Sequence, residues 1–318
     1  MKQLVILFTL CTTTVFSQTD MTPSESDLKG KVKNLTSIST IPINGVVDDK
    51  TTRSYNIVNY NKMGNPTYMI SYYGDSVRAD RTRFTYNQLS KEILRVTTTS
   101  TGENKKIVQQ FDSILNKTEK SFYLNDVLYW VEDWIYDEKN RLISHSHKDS
   151  GWPEYWEYAY DSTGNCVLED FSRDSRSTPH LLQTRTIRIY KNGRLVEEQI
   201  SKSDIARIVY EYDNLNKLIS KIEYNANGDL DRKETFKYSS DLLVEESHYS
   251  LDKLTFQKQM KYNSKKQLIE LIEINNVMNA QRKIVYTYDA QSNWIVQKSY
   301  DLTTGLISYQ IERKISYY

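Results

Sequence analysis

Four of the five tryptophans of this chain lie close together in the sequence. Each stands at an even offset from the tyrosine that ends its strand in the repeat described below, and alternate residues of a strand point to the same face. We therefore predict that the four indoles share one face with a neighbouring tyrosine. Flat aromatic rings on one surface suit the rings of sugars, and burial in the core of the fold is the alternative. The predicted ligand-binding residues are Trp130, Trp134, Trp152, Trp156 and Tyr158.

Two histidines, His145 and His147, have the one spacing in the chain that suits a metal ion. Residues i and i+2 of a strand share a face, so both imidazoles could ligate one ion. The alternative is a pair of solvated side chains beside a turn. We predict no other metal site and no cofactor.

Catalytic motifs are missing from the sequence. It has no G-x-S-x-G nucleophile motif, no H-E-x-x-H zinc motif, no phosphate-binding glycine-rich loop and no C-x-x-C pair. Carboxylates are abundant, but they alternate with Lys and Arg, so no pair stands out as the acid and base of a glycosidase. We predict a protein without enzymatic activity. The alternative is a carboxylate-dependent hydrolase of envelope polysaccharide, which would need a concave pocket with two carboxylates of different pKa.

A sequence repeat predicts the strands and turns on which these residues lie. Tyrosine followed by Asp or Asn recurs along the chain, and successive copies, degenerate ones included, are 22 to 30 residues apart. A near-constant period in this range indicates a repeat protein. The clear copies begin at Tyr60, Tyr86, Tyr136, Tyr160, Tyr212, Tyr262 and Tyr288, and the degenerate ones at Phe111, Tyr190 and Tyr238.

One repeat, from Tyr136 to Asp161, shows the pattern of a β-hairpin. Residues 137–140 are turn formers, because Asp and Asn tolerate left-handed backbone and bond their own main chain. Leu142 and Ile143 open a strand, and Asp149-Ser150-Gly151 makes a second turn. Residues 155–160 then alternate between aromatic and other side chains, as a return strand does. Each repeat is therefore predicted to be one hairpin plus the turn to the next.

A hairpin alone is marginally stable in water, so the repeats must pair edge to edge. The predicted fold class is all-β, an antiparallel hairpin-repeat meander of about ten repeats of ~25 residues that forms an elongated or curled single sheet. Most of the tyrosines are predicted to hold this fold together as a ladder along one face. The sequence does not decide between an open, a superhelical and a closed sheet.

The ends of the chain divide it into three segments. Residues 1–17 have the positive start, apolar stretch and small residues of a secretory signal peptide, with cleavage before Gln18. Residues 18–30 are polar and predicted to be a flexible N-terminal segment. Residues 31–318 form the repeat array, in which no linker separates domains. We expect an exported protein that is periplasmic, on the cell surface or extracellular.

The charge and the cysteine content give no support for a nucleic-acid partner or for a disulfide. Without Lys2 the mature chain has one fewer than the 42 Lys+Arg, which equals its 41 Asp+Glu, so no net charge favours nucleic acid. One mature cysteine, Cys166, predicts no disulfide.

No second apolar run is long enough for a transmembrane helix. An outer-membrane barrel would need an apolar outer face, but the face opposite the tyrosines holds charges, at Asp133, Glu157, Arg185, Glu211, Lys237 and Lys261.

The pattern Y-D-x-x-G-R-L … Y-x-Y-D resembles the YD-repeat, or RHS-repeat, family of bacterial envelope and exported proteins. The matching segments are Tyr136–Asp161, Tyr190–Leu195 (YKNGRL) and Tyr158–Cys166 (YAYDSTGNC), and the resemblance covers residues 55–318. It implies a hairpin array and export. The long members coil into a hollow shell around a toxin, but this chain is much shorter and lacks both a cargo domain and the autocleavage motif. It looks more like the short secreted members.

These observations predict a non-enzymatic secreted or periplasmic protein that serves as a binding or scaffold module of the cell envelope. The aromatic face is expected to bind a glycan or an envelope protein. A partner-binding accessory protein of a toxin system is a further alternative.

Overall fold

The structure is a computed structural model that describes residues 28–47, 52–74, 79–175 and 178–318. The predicted signal peptide over residues 1–17 lies outside the described residues, as does the segment 18–30 up to residue 27. At the first described residues, the backbone is hydrogen-bonded to the repeat array. The N–H of Lys29 donates to Asn293 Oδ1 at 2.6 Å, and Asn293 Nδ2 donates to the Lys29 carbonyl at 2.8 Å.

The described residues form 22 strands joined by turns. In chain order they are β1 (Val32–Ile41), β2 (Thr52–Tyr60), β3 (Pro66–Tyr72), β4 (Ala79–Tyr86), β5 (Glu92–Thr98), β6 (Asn104–Phe111), β7 (Lys117–Leu124), β8 (Val127–Tyr136), β9 (Leu142–Asp149), β10 (Glu154–Tyr160), β11 (Cys166–Arg173), β12 (Leu181–Lys191), β13 (Arg194–Ser201), β14 (Ile205–Tyr212), β15 (Leu218–Asn225), β16 (Leu230–Ser239), β17 (Leu242–Ser250), β18 (Lys253–Tyr262), β19 (Leu268–Asn275), β20 (Ala280–Tyr288), β21 (Trp294–Asp301) and β22 (Ile307–Tyr317). Within the described residues, no helix has the length and apolarity that crossing a membrane requires.

The sheet closes on itself. Each strand pairs antiparallel with its neighbours in the chain, and β1 pairs with β22 as well as with β2. At this seam Leu35 lies opposite Ile315 and Ser37 opposite Arg313. The predicted elongated or curled single sheet is therefore wrong, and the fold is a closed antiparallel β-barrel. The physical reason is that closure pairs the N–H and C=O groups that two edge strands would leave open.

The turns explain why Asp or Asn follows the tyrosine in the clear copies of the repeat. Asp137 Oδ1 accepts hydrogen bonds from the N–H groups of Lys139 and Arg141, both at 2.9 Å. Asn140 completes the turn in left-handed backbone, with φ of 65°, which Asn tolerates. The same pair of side-chain bonds recurs at Asn61, Asn87, Asp112, Asp161, Asp213 and Asn263. We call the end of the barrel with these turns the YD rim.

Hydrogen bonds from the tyrosine hydroxyls link successive repeats. Tyr262 lies opposite Leu268 at a one-residue register shift, and the carbonyl of Leu268 accepts a 2.6 Å hydrogen bond from the Tyr288 hydroxyl. Tyr262 in turn donates to the Leu243 carbonyl at 2.8 Å. A phenol is therefore needed at these positions, since a phenylalanine would fill the space and leave the carbonyl unbonded. Equivalent bonds are made by Tyr86, Tyr160, Tyr190, Tyr212 and Tyr238.

The face that carries the tyrosines is the inner face of the barrel. Along β20, Ile284 and Tyr286 are buried while Thr287 between Tyr286 and Tyr288 is exposed. No second layer within the described residues covers the sheet, so the buried face must be the one turned inward. The largest buried cluster, here called the packed sector, spans β16–β21. It consists of Phe236, Leu243, Met260, Leu268, Leu271, Ile284, Tyr286 and Trp294.

Candidate ligand-binding face

Four aromatic side chains from four adjacent strands stack on the inner face between β8 and β11. Trp134 and His145 stack at 4.9 Å between ring centroids, His145 and Trp156 at 4.9 Å, and Trp156 and Phe171 at 5.1 Å. The stack follows from the register, because each ring lies directly opposite the next. Rings at such cross-strand positions are close enough to contact one another. We call Trp134, His145, Trp156 and Phe171 the ring stack.

A second group of rings lies beside the ring stack. Phe122 of β7 stacks on Trp130 of β8 at 5.5 Å, and Trp130 contacts His147 of β9 at 5.6 Å. Lys120 Nζ lies 4.9 Å from the centroid of the Trp130 ring, a cation–π arrangement. Aromatic side chains therefore line the inner face from β7 to β11, a region that we call the ring sector.

Most ring faces in the stack are covered by other rings. His145 lies between two indoles, and Trp156 lies between His145 and Phe171. The remaining face of Trp134, at the end of the stack, is covered by Lys117, whose Nζ is 5.2 Å from the ring centroid. A ligand would therefore meet ring edges along the stack and one ring face at the Trp134 end, where the Lys117 side chain must move aside.

A row of ionisable side chains crosses the same strands next to the rings. Lys120 Nζ lies 3.2 Å from Glu132 Oε2, and His147 Nδ1 lies 3.7 Å from Glu132 Oε1. Glu154, opposite His147, pairs with Arg173. All five side chains lie on the inner face. The ring sector thus places charged hydrogen-bonding groups beside apolar ring edges.

The two histidines have opposite pKa shifts. Burial between the indoles lowers the pKa of His145 below its usual value. The Glu132 carboxylate, 3.7 Å from Nδ1, raises the pKa of His147, against the opposing effect of burial. Burial alone would raise the pKa of Glu132, but the nearby His147 and Lys120 side chains lower it overall. Glu132 is thus held ionised, while His145 is held neutral.

The structure brings most of the predicted binding residues together. Trp130, Trp134, Trp156 and Tyr158 all lie on the inner face of the ring sector, because β8 and β10 are regular strands. Trp152 does not join them. It lies in the turn before β10, at the rim opposite the YD rim, and is 45% exposed. The turn ends at Pro153, so the strand alternation does not extend back to Trp152.

The two predicted metal ligands lie among the aromatic rings and do not form an open metal site. His145 and His147 do share a face, but His145 is enclosed by indoles and its Nε2 is buried without a hydrogen-bond partner among the described residues. His147 is engaged by Glu132. The described residues hold no group of three or more metal-ligating side chains.

Sequence reasoning missed several members of the ring sector, notably Phe122, Phe171 and Lys117. Finding Phe171 from the sequence requires the register of β10 against β11, which shifts by one residue near Tyr160. A signal for Lys117 was present, since it stands where other repeats have an apolar residue opposite the tyrosine position.

Outside the ring sector, charges on the inner face are closely paired. Arg188 Nη2 lies 2.7 Å from Glu169 Oε2, and Arg188 Nε lies 2.8 Å from Glu198 Oε1. Glu198 also accepts a 2.6 Å bond from the Tyr210 hydroxyl. Glu246 is buried and bonds His248 at 2.6 Å. Because these charges already have close partners inside the barrel, we do not assign them to a ligand site.

The comparisons with known proteins give distant likenesses. No protein-family model and no curated protein matches the chain. Among solved structures, 86% of the chain is similar to 19% of a chain of TcdB2-TccC3-TEV, with 11% identity and a TM-score of 0.36. The chain thus spans about a fifth of the length of that protein. It is also similar to porin-like proteins from Bacteroides uniformis (91% of this chain, 98% of that chain, 10% identity, TM-score 0.32) and Bacteroides vulgatus (90%, 98%, 10%, 0.24). Likeness at these TM-scores carries neither fold nor function to this chain.

Proposed function

We propose that the chain is a non-enzymatic binding barrel of the cell envelope that binds glycan on the inner face of its ring sector. The observation that carries this proposal is the ring stack with a row of ionised groups beside it. Sugars present both apolar C–H faces and hydroxyl groups, and a site for them needs aromatic surface next to charged hydrogen-bonding groups.

The geometry suits weak binding that is spread over several groups. One ring face, that of Trp134, becomes available when Lys117 moves aside. Glu132, His147 and Arg173 supply hydrogen-bond acceptors and donors along the same inner face. A single stacked ring and a few hydrogen bonds correspond to dissociation constants between about millimolar and micromolar.

The charged outer face suits a barrel whose outer surface contacts water rather than lipid. Lys237 lies 2.7 Å from Glu245 and Lys261 lies 2.7 Å from Glu270. Similar outer pairs join Arg185 to Asp170 and Lys148 to Asp133. A lipid-facing barrel surface is instead a band of apolar side chains. Together with the predicted signal peptide, this favours a protein in the periplasm, on the cell surface or outside the cell.

A hydrolase has less support from the electrostatics. A glycosidase needs one carboxyl group that stays protonated near neutral pH beside one that is ionised. The pKa values of Glu132 and Glu246 are both lowered by their histidine and lysine partners. Neither carboxyl group is therefore prepared to act as a general acid.

The test is tryptophan fluorescence of the purified mature chain during titration with a panel of bacterial and plant glycans. Trp134→Ala should weaken binding about tenfold or more, since it removes the ring face that the sugar would contact, worth about 1 kcal/mol or more. Trp156→Ala should weaken it less, because both faces of Trp156 are covered by other rings. Trp152→Ala is the matched control, because Trp152 lies outside the stack. No binding across the panel at millimolar concentration would overturn the proposal, as would equal losses in all three variants.

A further inference from the structure

Two repeats break the rule for the residue opposite the YD tyrosine. At this inward position eight of the ten copies have an apolar residue, namely Pro66, Leu142, Cys166, Leu195, Leu218, Leu243, Leu268 and Trp294. The other two have Glu92 and Lys117, which are adjacent copies in the array. Charges placed where the repeat otherwise packs apolar side chains lower the stability of the barrel. A functional role would explain why Glu92 and Lys117 stand at these two positions.

Glu92 has partners within the barrel, whereas Lys117 does not. Arg95 Nη2 donates to Glu92 Oε2 at 3.0 Å, and Gln109 Nε2 lies 3.3 Å from Glu92 Oε1. Lys117 makes no hydrogen bond or ion pair with any described residue, and its ammonium contacts the face of Trp134. Burial, and then the nearby charge of Lys120, lower the pKa of Lys117. The ammonium is therefore half-buried without a direct carboxylate partner, and Glu132 and Glu92 act on it only from beyond ion-pair distance.

Charges of both signs lie near the Lys117 ammonium. Lys120 and Arg95 oppose its positive charge, whereas Glu132 and Glu92 favour it. Arg95 Nε is buried and has no hydrogen-bond acceptor among the described residues. Glu92 and Glu132 each already pair with a cation. The three cations exceed the two carboxylates, so this part of the inner face has one positive charge left over.

We propose that Lys117, with Arg95 and Lys120 around it, binds the carboxylate of an acidic sugar whose ring lies on the face of Trp134. The inference rests on the glycan-binding function proposed above and specifies its ligand class. When Lys117 swings from the indole to the carboxylate, it gains the direct ion pair that it lacks in the barrel and uncovers the ring face for the sugar. Charge-assisted hydrogen bonds of this kind are the stronger ones in proteins.

The experiment compares an oligogalacturonate with its methyl ester, which has the same rings without the charges. Calorimetric titration of the mature chain should show the acid binding about ten- to a hundredfold more tightly than the ester, because hydrogen bonds between charged groups contribute that much. The preference should weaken as salt is added. Lys117→Leu restores the residue that the repeat normally has, so the variant should fold. It should bind the acid no better than the ester.

Two control variants separate the role of Lys117 from a general loss of charge. Lys117→Arg should keep the preference for the acid. Lys148→Leu removes a lysine from the outer face of the same sector and should leave both affinities unchanged. Equal wild-type affinities for acid and ester would overturn the carboxylate site while leaving the glycan proposal standing, as would a preference that survives in folded Lys117→Leu. Failure of the chain to bind either sugar, or any other glycan, would overturn both.

Discussion

The packed sector and the ring sector are built from the same hairpin repeat and differ in what points inward. In the packed sector, side chains such as Leu243 and Leu271 are 1% and 2% exposed and contact one another across strands. In the ring sector, half-buried rings alternate with Lys, Glu and His. In turns of both sectors, an Asp or Asn side chain accepts the same pair of hydrogen bonds from backbone N–H groups. The YD motif therefore holds the barrel in both sectors, and the inward positions between the motifs set whether a sector packs tightly or, as we propose, binds a ligand.

The largest expected effect lies in the packed sector. Leu271→Ala removes a side chain that is 2% exposed and should lower the free energy of unfolding by about 2–5 kcal/mol. Ile135→Ala, on the outer face of the ring sector and 56% exposed, should change it by less than about 0.5 kcal/mol. Chemical denaturation followed by circular dichroism measures both. Similar losses in the two variants would contradict the assignment of inner and outer faces.

A smaller effect tests the tyrosine bonds that both sectors share. Tyr262→Phe keeps the ring but leaves the Leu243 carbonyl without its 2.8 Å donor, and should cost about 1–2 kcal/mol. Tyr136→Phe is the matched control, because the Tyr136 hydroxyl makes no hydrogen bond to the described residues. If denaturation midpoints of the two variants fall equally, the hydroxyl bonds do not stabilise the array.

Alkaline pH should weaken the barrel through its inner tyrosines. Burial raises the pKa values of Tyr86, Tyr286 and Tyr288 from 10.0 to about 12. Because the folded state favours the protonated phenol, the stability from these groups is complete below pH 10 and is lost as pH rises toward about 12. Denaturation midpoints measured across this range should fall, and less steeply in Tyr288→Phe. A flat profile from pH 10 to about 12 would contradict the pKa shifts.

The smallest effect concerns a strained turn. Leu115 has a φ of 71° at the position where Gly or Asn stands in four other YD turns, at residues 64, 140, 164 and 216, and a bulky residue is disfavoured there. Leu115→Asn should stabilise the protein by about 1 kcal/mol, and Asn216→Leu at the equivalent turn position should destabilise it by a similar amount. Thermal unfolding of both variants checks this, and a destabilised Leu115→Asn would refute it.

The local structure was predictable from the sequence because it depends on nearby residues. Turns such as Asp137–Asn140 follow from side-chain bonds that span four residues. Closure was not predictable, since it depends on β1 meeting β22 across almost the whole chain, and nothing in the sequence of either strand distinguishes a paired edge from an open one. The inward direction of Trp134 and Trp156 followed from strand alternation. Their contacts with His145 and Phe171 required register shifts that the sequence does not specify.

We propose that the ring sector binds a ligand, whereas the packed sector stabilises the fold. Glycan affinity and the free energy of unfolding should be measured on the same two variants, Trp134→Ala and Leu271→Ala. We predict that Trp134→Ala loses binding about tenfold or more at a cost of about 1–2 kcal/mol of stability. Leu271→Ala should be destabilised by about 2–5 kcal/mol yet bind with native affinity wherever it is folded. If affinity and stability fall together in both variants, the ring stack is part of the core and the division between the two sectors is wrong.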